Sequence, residues 1–363
     1  MSEQEKELRV LRDQIDSIDR QVHELLNKRA KCAQSVAEVK QKHQGEQSAV
    51  FYRPEREAQV LRAVMERNEG PLPDKEVARL FREIMSVCLA LEEPMRVSFL
   101  GPEGTFTQQA AQKHFGHSAR NLPMQSLRDV FREVQSGAAH YGVVPIENST
   151  EGVISHTLDL FKQYDLKICG EVEVPVHLHL LVNKGEDLDG ITRIYSHQQS
   201  LAQSRDWLDA RYPQVEKIAV SSNAEAARMT AEEGTGCAAI AGDMAAELYE
   251  LDPAIKNIED QADNATRFLI IGDQDVGPSG DDKTSILISV PDTPGALYQL
   301  LEPFHRYQLS LTRVETRSSS KNSLFYIDFE GHCEDELVQE ALSELTQSSV
   351  ELKVLGSYPR AVL

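Results

Sequence analysis

From Leu8 the apolar positions run Leu8, Leu11, Ile15, Ile18, Val22, Leu25, Cys32, Val36 and Val39. Steps of three and four mark one stripe of a long amphipathic helix. Arg29 holds the place in this series between Leu25 and Cys32. Pro54 suits a first helical position, and Val60, Leu61, Val64 and Met65 give the helix it opens an apolar face. A third helix follows Pro73-Asp74, with Val77, Leu80, Phe81, Ile84, Cys88 and Leu91 as its stripe, and Pro94 ends it. Three helices, one very long, cannot easily cover their own stripes, so the pattern predicts an all-helical, intertwined dimer over residues 1–93.

At Arg96 the period changes to short apolar runs: VSFL at 97–100, YGVVPI at 141–146, LHLLV at 178–182, KIAVS at 217–221, CAAIAG at 237–242 and RFLIIG at 267–272. Helical stretches at 107–115, 125–136, 198–211 and 223–233 alternate with them, an α/β pattern. Residues 96–272 thus predict one α/β domain of two lobes, with the ligand site in its cleft. DQDVGPSGDD at 273–282 is a turn-rich acidic linker. Beyond it, residues 284–363 read strand, helix, strand, strand, helix, strand, the βαββαβ order of an α+β ferredoxin-like module.

Charge narrows the function. The 363 residues carry a formal charge of −20. Residues 1–95 hold 16 basic and 18 acidic side chains, leaving 22 basic and 40 acidic for the remainder. Such a balance disfavours nucleic acid and anionic membranes as partners, and an anionic substrate is expected to need a local cationic pocket. The five cysteines are scattered, with neither a CxxC pair nor a zinc-like cluster, so no disulfide framework and no metal site are expected. The polar start and the lack of a long apolar run predict a cytoplasmic chain.

A lone arginine on an apolar seam needs an anion. Lys40 lies eleven residues after Arg29, which on a helix is within about 20° of the same face and roughly 16 Å along it. The two could lean toward one ligand, or Arg29 could pair with a bundle glutamate while Lys40 merely ends the helix. Glu57 faces inward or serves the helix dipole, and Cys88 and Glu92 are i, i+4 neighbours. Together with Leu11-Arg12 and Arg56-Glu57, these residues resemble the all-helical chorismate mutase domain. The resemblance implies a cofactor-free pericyclic rearrangement of chorismate, assisted by electrostatic preorganisation. It also implies that Arg12 of one subunit joins Arg29, Lys40 and Glu57 of the other, with Lys40 and Glu92 on the ether oxygen. Arg53, Cys88 and Glu92 stand where the family usually has Asp, Ser and Gln. A glutamate donates to an ether oxygen only when protonated.

Four polar clusters sit at strand ends or helix starts of the α/β region: GPEGTFTQQAA at 101–111, VVPIENSTEG at 143–152, YSHQQSLAQ at 195–203 and NATRFLIIG at 264–272. Such places collect ligand contacts, though Ser, Thr and Asn there are often helix caps. His177 and His179 lack further clustered ligands, so no metal is assigned to them. In order, the clusters resemble prephenate dehydratase. Loss of carbon dioxide and hydroxide together is driven by aromatisation. A cation paired to the departing carboxylate would oppose it, whereas the leaving hydroxyl wants a donor. Neutral donors therefore suit the chemistry: Asn148, Ser149, Thr150, Ser196, Gln199, Gln203 and Thr266. The resemblance implies that Thr266 assists hydroxyl departure and that Glu147, Asn148, Ser196 and Gln203 orient prephenate. Arg267 or the 104–107 turn, with Thr105 and Thr107, would then hold the spectator carboxylate.

GALYQLL at 295–301 and LTRVETR at 311–317 resemble an ACT regulatory domain. That resemblance implies phenylalanine bound by Gly295, Ala296 and Leu297 with Glu315, Thr316 and Arg317, across an interface of a homodimer or higher homo-oligomer. A purely structural dimerisation unit is the alternative. The three resemblances occur in the order of bifunctional enzymes that convert chorismate through prephenate to phenylpyruvate under phenylalanine inhibition, without cofactor or metal. A non-catalytic amino-acid sensor is the rival from another class.

Overall fold

The structure, a computed structural model, describes residues 2–44, 52–318 and 322–363. Helix α1 spans Glu3–Gln44, α2 Pro54–Glu66 and α3 Asp74–Ala90. Helices α2 and α3 bury Ala58, Leu61, Val64 and Ala78. By contrast, Leu11, Ile15, Ile18 and Leu25 on α1 are 54–63% exposed. The long stripe therefore finds no cover in its own chain, and Ala37 is the one α1 residue buried there among those described.

The first lobe is built from β1 Arg96–Leu100, α4 Phe106–Phe115, β2 Arg120–Met124, α5 Leu127–Gln135, β3 Tyr141–Asn148, β4 Gly152–Val153, α6 Ser155–Leu160 and β5 Lys167–Pro175. The chain then builds the second lobe from β6 His179–Val182, β7 Arg193–His197, α7 Gln198–Gln203, α8 Arg205–Arg211, β8 Glu216–Val220, α9 Asn223–Glu233, β9 Cys237–Ala241, α10 Asp243–Leu248 and β10 Asp252–Ile255. It returns through β11, Ala265–Gly272, which inserts antiparallel between β3 and β5. The sheet orders are β2-β1-β3-β11-β5 and β10-β6-β9-β7-β8. Strand β5 lay outside the predicted runs because Gly170, Glu171 and Glu173 interrupt its apolar positions. The single helix expected over 198–211 breaks at Ser204, where the Asp260 carboxylate accepts from the Asp206 and Trp207 N–H groups at 3.1 and 3.2 Å and starts a new helix.

The C-terminal module comprises β12 Asp282–Pro291, α11 Ala296–Arg306, β13 Leu311–Ser318, β14 Asn322–Glu330, α12 Glu336–Ser348 and β15 Glu351–Pro359. Its strands pair antiparallel in the order β13-β14-β12-β15, the βαββαβ arrangement read from the sequence. One face packs Ile286, Ile288, Phe325 and Ile327 with Leu300 and Phe304 of α11. The other face joins the first lobe, so that Leu287, Tyr326, Leu355 and Tyr358 share a core with Leu160, Phe161, Ile168 and Leu269. At Gly356 a Cβ would lie 2.3 Å from the Ile168 carbonyl oxygen, so only glycine permits this approach of β15 to β5.

Candidate functional site

A cleft of about 860 Å³ opens between the two lobes. Its walls come from the places where chain leaves a strand or enters a helix. The Gly101–Thr107 turn leads from β1 into α4, where Thr105 caps the helix by accepting from the Gln108 N–H. Ser222 caps α9 by accepting from the Glu225 N–H at 3.0 Å. The first turns of α4 and α9 thus present their positive ends to the cavity.

At the junction of the lobes, Thr266 of β11 faces Asn148 of β3 in register. Asn148 Nδ2 donates to Thr266 Oγ1 at 3.0 Å and to Asn264 Oδ1 at 2.9 Å. Asn148 Oδ1 accepts from the Thr150 and Glu151 N–H groups, both at 3.1 Å. With both ends of the amide committed, its orientation is fixed. Thr266 therefore spends its oxygen on Asn148 and keeps its hydroxyl hydrogen for a group in the cleft. Gln199 and Gln203 line the same cavity, and so do Thr105 and Thr107.

Other expected residues lie elsewhere. Ser196 is fully buried and donates to the Ile240 carbonyl at 2.7 Å, so it braces β7 against β9 rather than meeting a ligand. The Ser149 hydroxyl accepts from the Ala265 N–H at 2.9 Å, and the Thr150 hydroxyl donates to Gln261 Oε1 at 3.2 Å, which ties the 149–150 turn to the far strand. Glu147 and Arg267 point away from the cleft. Strand alternation puts them on the opposite face from Asn148 and Thr266, where Glu147 contacts Arg313. Arg267 donates to Glu171 at 2.8 Å, Asp328 at 2.7 Å and the Tyr358 hydroxyl at 3.1 Å. The expectation that Arg267 holds a substrate carboxylate is thus corrected, because its guanidinium is consumed by buried carboxylates. Among the described residues no lysine or arginine lines the cleft, which is walled instead by neutral donors of the kind expected there.

Among the lining residues that sequence reasoning left without a role are His197, Ser200 and Asn223. Asn223 Oδ1 accepts from the His197 N–H at 3.1 Å, and its Nδ2 donates to Ser200 Oγ at 2.8 Å, pinning the start of α7 to that of α9. The signal for all three was a polar residue at a strand end or in the first turn of the helix that follows.

A second cluster lies where α1 meets α3. Cys88 is buried, and one carboxylate oxygen of Glu92 is buried without a hydrogen-bond partner among the described residues. Burial pushes the Glu92 carboxyl up from its ordinary pKa, while the nearby Lys40 cation opposes this. Among the described residues no carboxylate pairs with Arg12 or Arg29, and Arg12 lies about 42 Å from Lys40 along the same helix. Two residues are engaged elsewhere. Arg53 Nε is 2.7 Å from Glu55, and Glu57 is turned to Arg82 at 3.2 Å, since that buried guanidinium requires an anion.

In the C-terminal module, Gly295 adopts φ 88° just before α11. The 295–297 segment and the end of β13 lie at one end of the sheet, where Pro291 pairs with Asn322 and Ser318 with Ser323. Thr316 is exposed, whereas Glu315 and Arg317 share the face of Arg313 that turns to the first lobe, with Arg317 3.6 Å from Asp159.

Residues 97–276 match the family profile described as prephenate dehydratase. Residues 11–93 match that of chorismate mutase type II. A bifunctional chorismate mutase/prephenate dehydratase of Pseudomonas aeruginosa is 57% identical over 367 aligned positions covering 100% of both chains. An arogenate dehydratase/prephenate dehydratase of Arabidopsis thaliana is 35% identical over 280 positions and 73% of each chain. Among solved structures, the prephenate dehydratase of Arthrobacter aurescens in complex with L-Phe superposes with a TM-score of 0.69 at 34% identity, covering 74% of this chain and 90% of that one.

The placement of Arg267 generates a stability prediction. Arg267→Met strands the buried Glu171 and Asp328 carboxylates, so chemical denaturation is expected to show a loss of about 3–5 kcal/mol. Burial opposes ionisation of Glu171, but Arg267 and Lys283 hold its carboxyl below the usual range. The network's contribution is therefore present above about pH 4.3 and lost as pH falls through the lower folded value. Unchanged stability with a raised KM would return Arg267 to a substrate-binding role.

Proposed function

The chain belongs to the family of bifunctional chorismate mutase/prephenate dehydratases, and from that premise we propose how its sites divide the work. It is an enzyme of phenylalanine biosynthesis, rearranging chorismate to prephenate and converting prephenate to phenylpyruvate.

The dehydratase reaction belongs to the interlobar cleft. As the ring carboxylate leaves as carbon dioxide, its bond electrons enter the ring, and the hydroxyl departs from the opposite ring carbon with its own electron pair. Thr266, its oxygen held by Asn148, donates a hydrogen bond to that hydroxyl. This hydrogen bond is the observation that carries the reading. No lysine or arginine stands among the described lining residues, which leaves the departing carboxylate unpaired and favours its loss, while Thr105, Thr107 and the N–H groups opening α4 hold the side-chain carboxylate. Gln199 and Gln203 orient the ring. Ser196, Ser149 and Thr150 act by holding the walls.

The mutase reaction belongs to the helical end. Lys40 and a protonated Glu92 serve the ether oxygen, where negative charge develops, and Arg29 serves a carboxylate. Arg12 lies too far along α1 to join its own Lys40. The exposed stripe of Leu11, Ile15, Ile18 and Leu25 is therefore covered by the same stripe of a second copy, which brings that copy's Arg12 to the Arg29 and Lys40 of this one. The βαββαβ module is an ACT domain that binds phenylalanine at Gly295–Leu297 and the end of β13. Positive φ at Gly295 supports a close backbone approach, and L-Phe is present in the Arthrobacter aurescens relative.

Purified protein in chelator, without added cofactor, is expected to form phenylpyruvate from chorismate and to form less with phenylalanine present. Thr266→Ala should lower dehydratase turnover about 10²- to 10³-fold and leave mutase turnover intact, so that prephenate accumulates. Parallel loss of both activities would overturn the role given to Thr266. Raised protonation of Glu92 supplies the donor, so mutase turnover should fall as pH rises through its titration, and Glu92→Gln should flatten that profile; superimposable profiles would remove Glu92 from the chemistry. Ile18→Asp is expected to yield monomers by sedimentation that retain dehydratase but lose mutase activity. A wild-type monomer with full mutase turnover would contradict the shared site.

A further inference from the structure

Strands β3 and β11 each present consecutive residues to two different domains. Asn148 and Thr266 pair in register on the cleft face, and their neighbours Glu147 and Arg267 pair in register on the face covered by the C-terminal sheet. Both neighbours are held by that sheet. Arg267 is fixed by Glu171, Asp328 and Tyr358, while Asp328 also accepts from Ser285 and Glu171 from Lys283. Glu147 contacts Arg313 of β13.

The two attachments differ in kind. The Arg267 cluster is saturated. The Arg313 side chain is only 7% exposed yet, despite its contact with Glu147, has no N–H aligned in a hydrogen bond among the described residues. A buried, under-bonded cation is sensitive to small displacements of its strand. Arg313 shares β13 and its inward face with Glu315 and Arg317.

We propose that Arg313 is a positioning residue, through which amino-acid binding at the C-terminal module shifts Glu147 and, one residue along the same strand, the Asn148–Thr266 hydrogen bond. The Arg267 cluster serves as the fixed point about which β3 moves. This rests on the reading of the module as a phenylalanine site. Coupling between two sites has to pass through an element that both bias, and β3 is the strand that touches Arg313 with one residue and holds Thr266 with the next.

The test uses full-length Arg313→Met and Arg313→Lys. Glu147 is 40% exposed and can be rehydrated when Arg313 is removed, so Arg313→Met leaves no stranded buried anion. Phenylalanine binding is measured by calorimetry, dehydratase kcat and KM across a phenylalanine series, and mutase turnover as the check on folding. Arg313→Met is expected to bind phenylalanine within about twofold of wild type yet require at least about tenfold more for inhibition, a change within the usual range of coupling between sites. Arg313→Lys should recover part of the sensitivity. Inhibition of Arg313→Met at wild-type concentrations would overturn the proposal, as would loss of binding and inhibition together, which would make Arg313 part of the ligand site. A wild-type protein that neither binds phenylalanine nor is inhibited by it would overturn the regulatory reading itself.

Discussion

Arg267 carries its charge into the seam between two β-sheets, and most of the molecule's architecture beyond the helical end follows from how that charge is met. Glu171 comes from β5 of the first lobe and Asp328 from β14 of the C-terminal module, so the guanidinium is bound by carboxylates of both domains. Lys283 adds a second cation to Glu171, and Ser285 adds a donor to Asp328. Removing any one member leaves a buried charge, while the complete set is satisfied. Apolar packing reinforces the seam, since Leu287, Tyr326, Leu355 and Tyr358 belong to the first lobe's core as much as to their own module. A module joined in this way is held as part of the dehydratase body rather than tethered to it by the acidic linker.

The same seam explains what was and was not legible in the sequence. The helical end was readable because its stripe recurs over many turns, and the C-terminal βαββαβ order because its strands and helices alternate in length and period. Which face of β11 meets substrate was not readable. RFLIIG has no alternation, because the strand is covered on both sides, so Thr266 and Arg267 stood as equally plausible ligands of one substrate. Only the sheet order, which inserts β11 between β3 and β5 and lays the C-terminal sheet behind it, separates a cleft-facing hydroxyl from a seam-facing guanidinium. Glu57 was misplaced for a related reason: its inward position was visible, but its partner Arg82 sits 25 residues later on another helix.

On the division of work proposed above, one acidic chain treats its anionic substrates in opposite ways. At the helical end, cations stand on the apolar stripe itself. A pericyclic rearrangement keeps every charge it starts with and shifts electron density toward one oxygen, so fixed positive groups favour the transition state throughout. In the cleft, the carboxylate's negative charge moves into the ring as neutral carbon dioxide forms and departs with the hydroxide, so a guanidinium against that carboxylate would stabilise the reactant more than the transition state. Backbone N–H groups at helix starts and neutral amides or hydroxyls bind an anion without pinning it so strongly. Directing Arg267 into the seam therefore serves both ends of its strand pair: the cation secures the sheets where a permanent charge is useful, and it is withheld from the face where it would impede the chemistry.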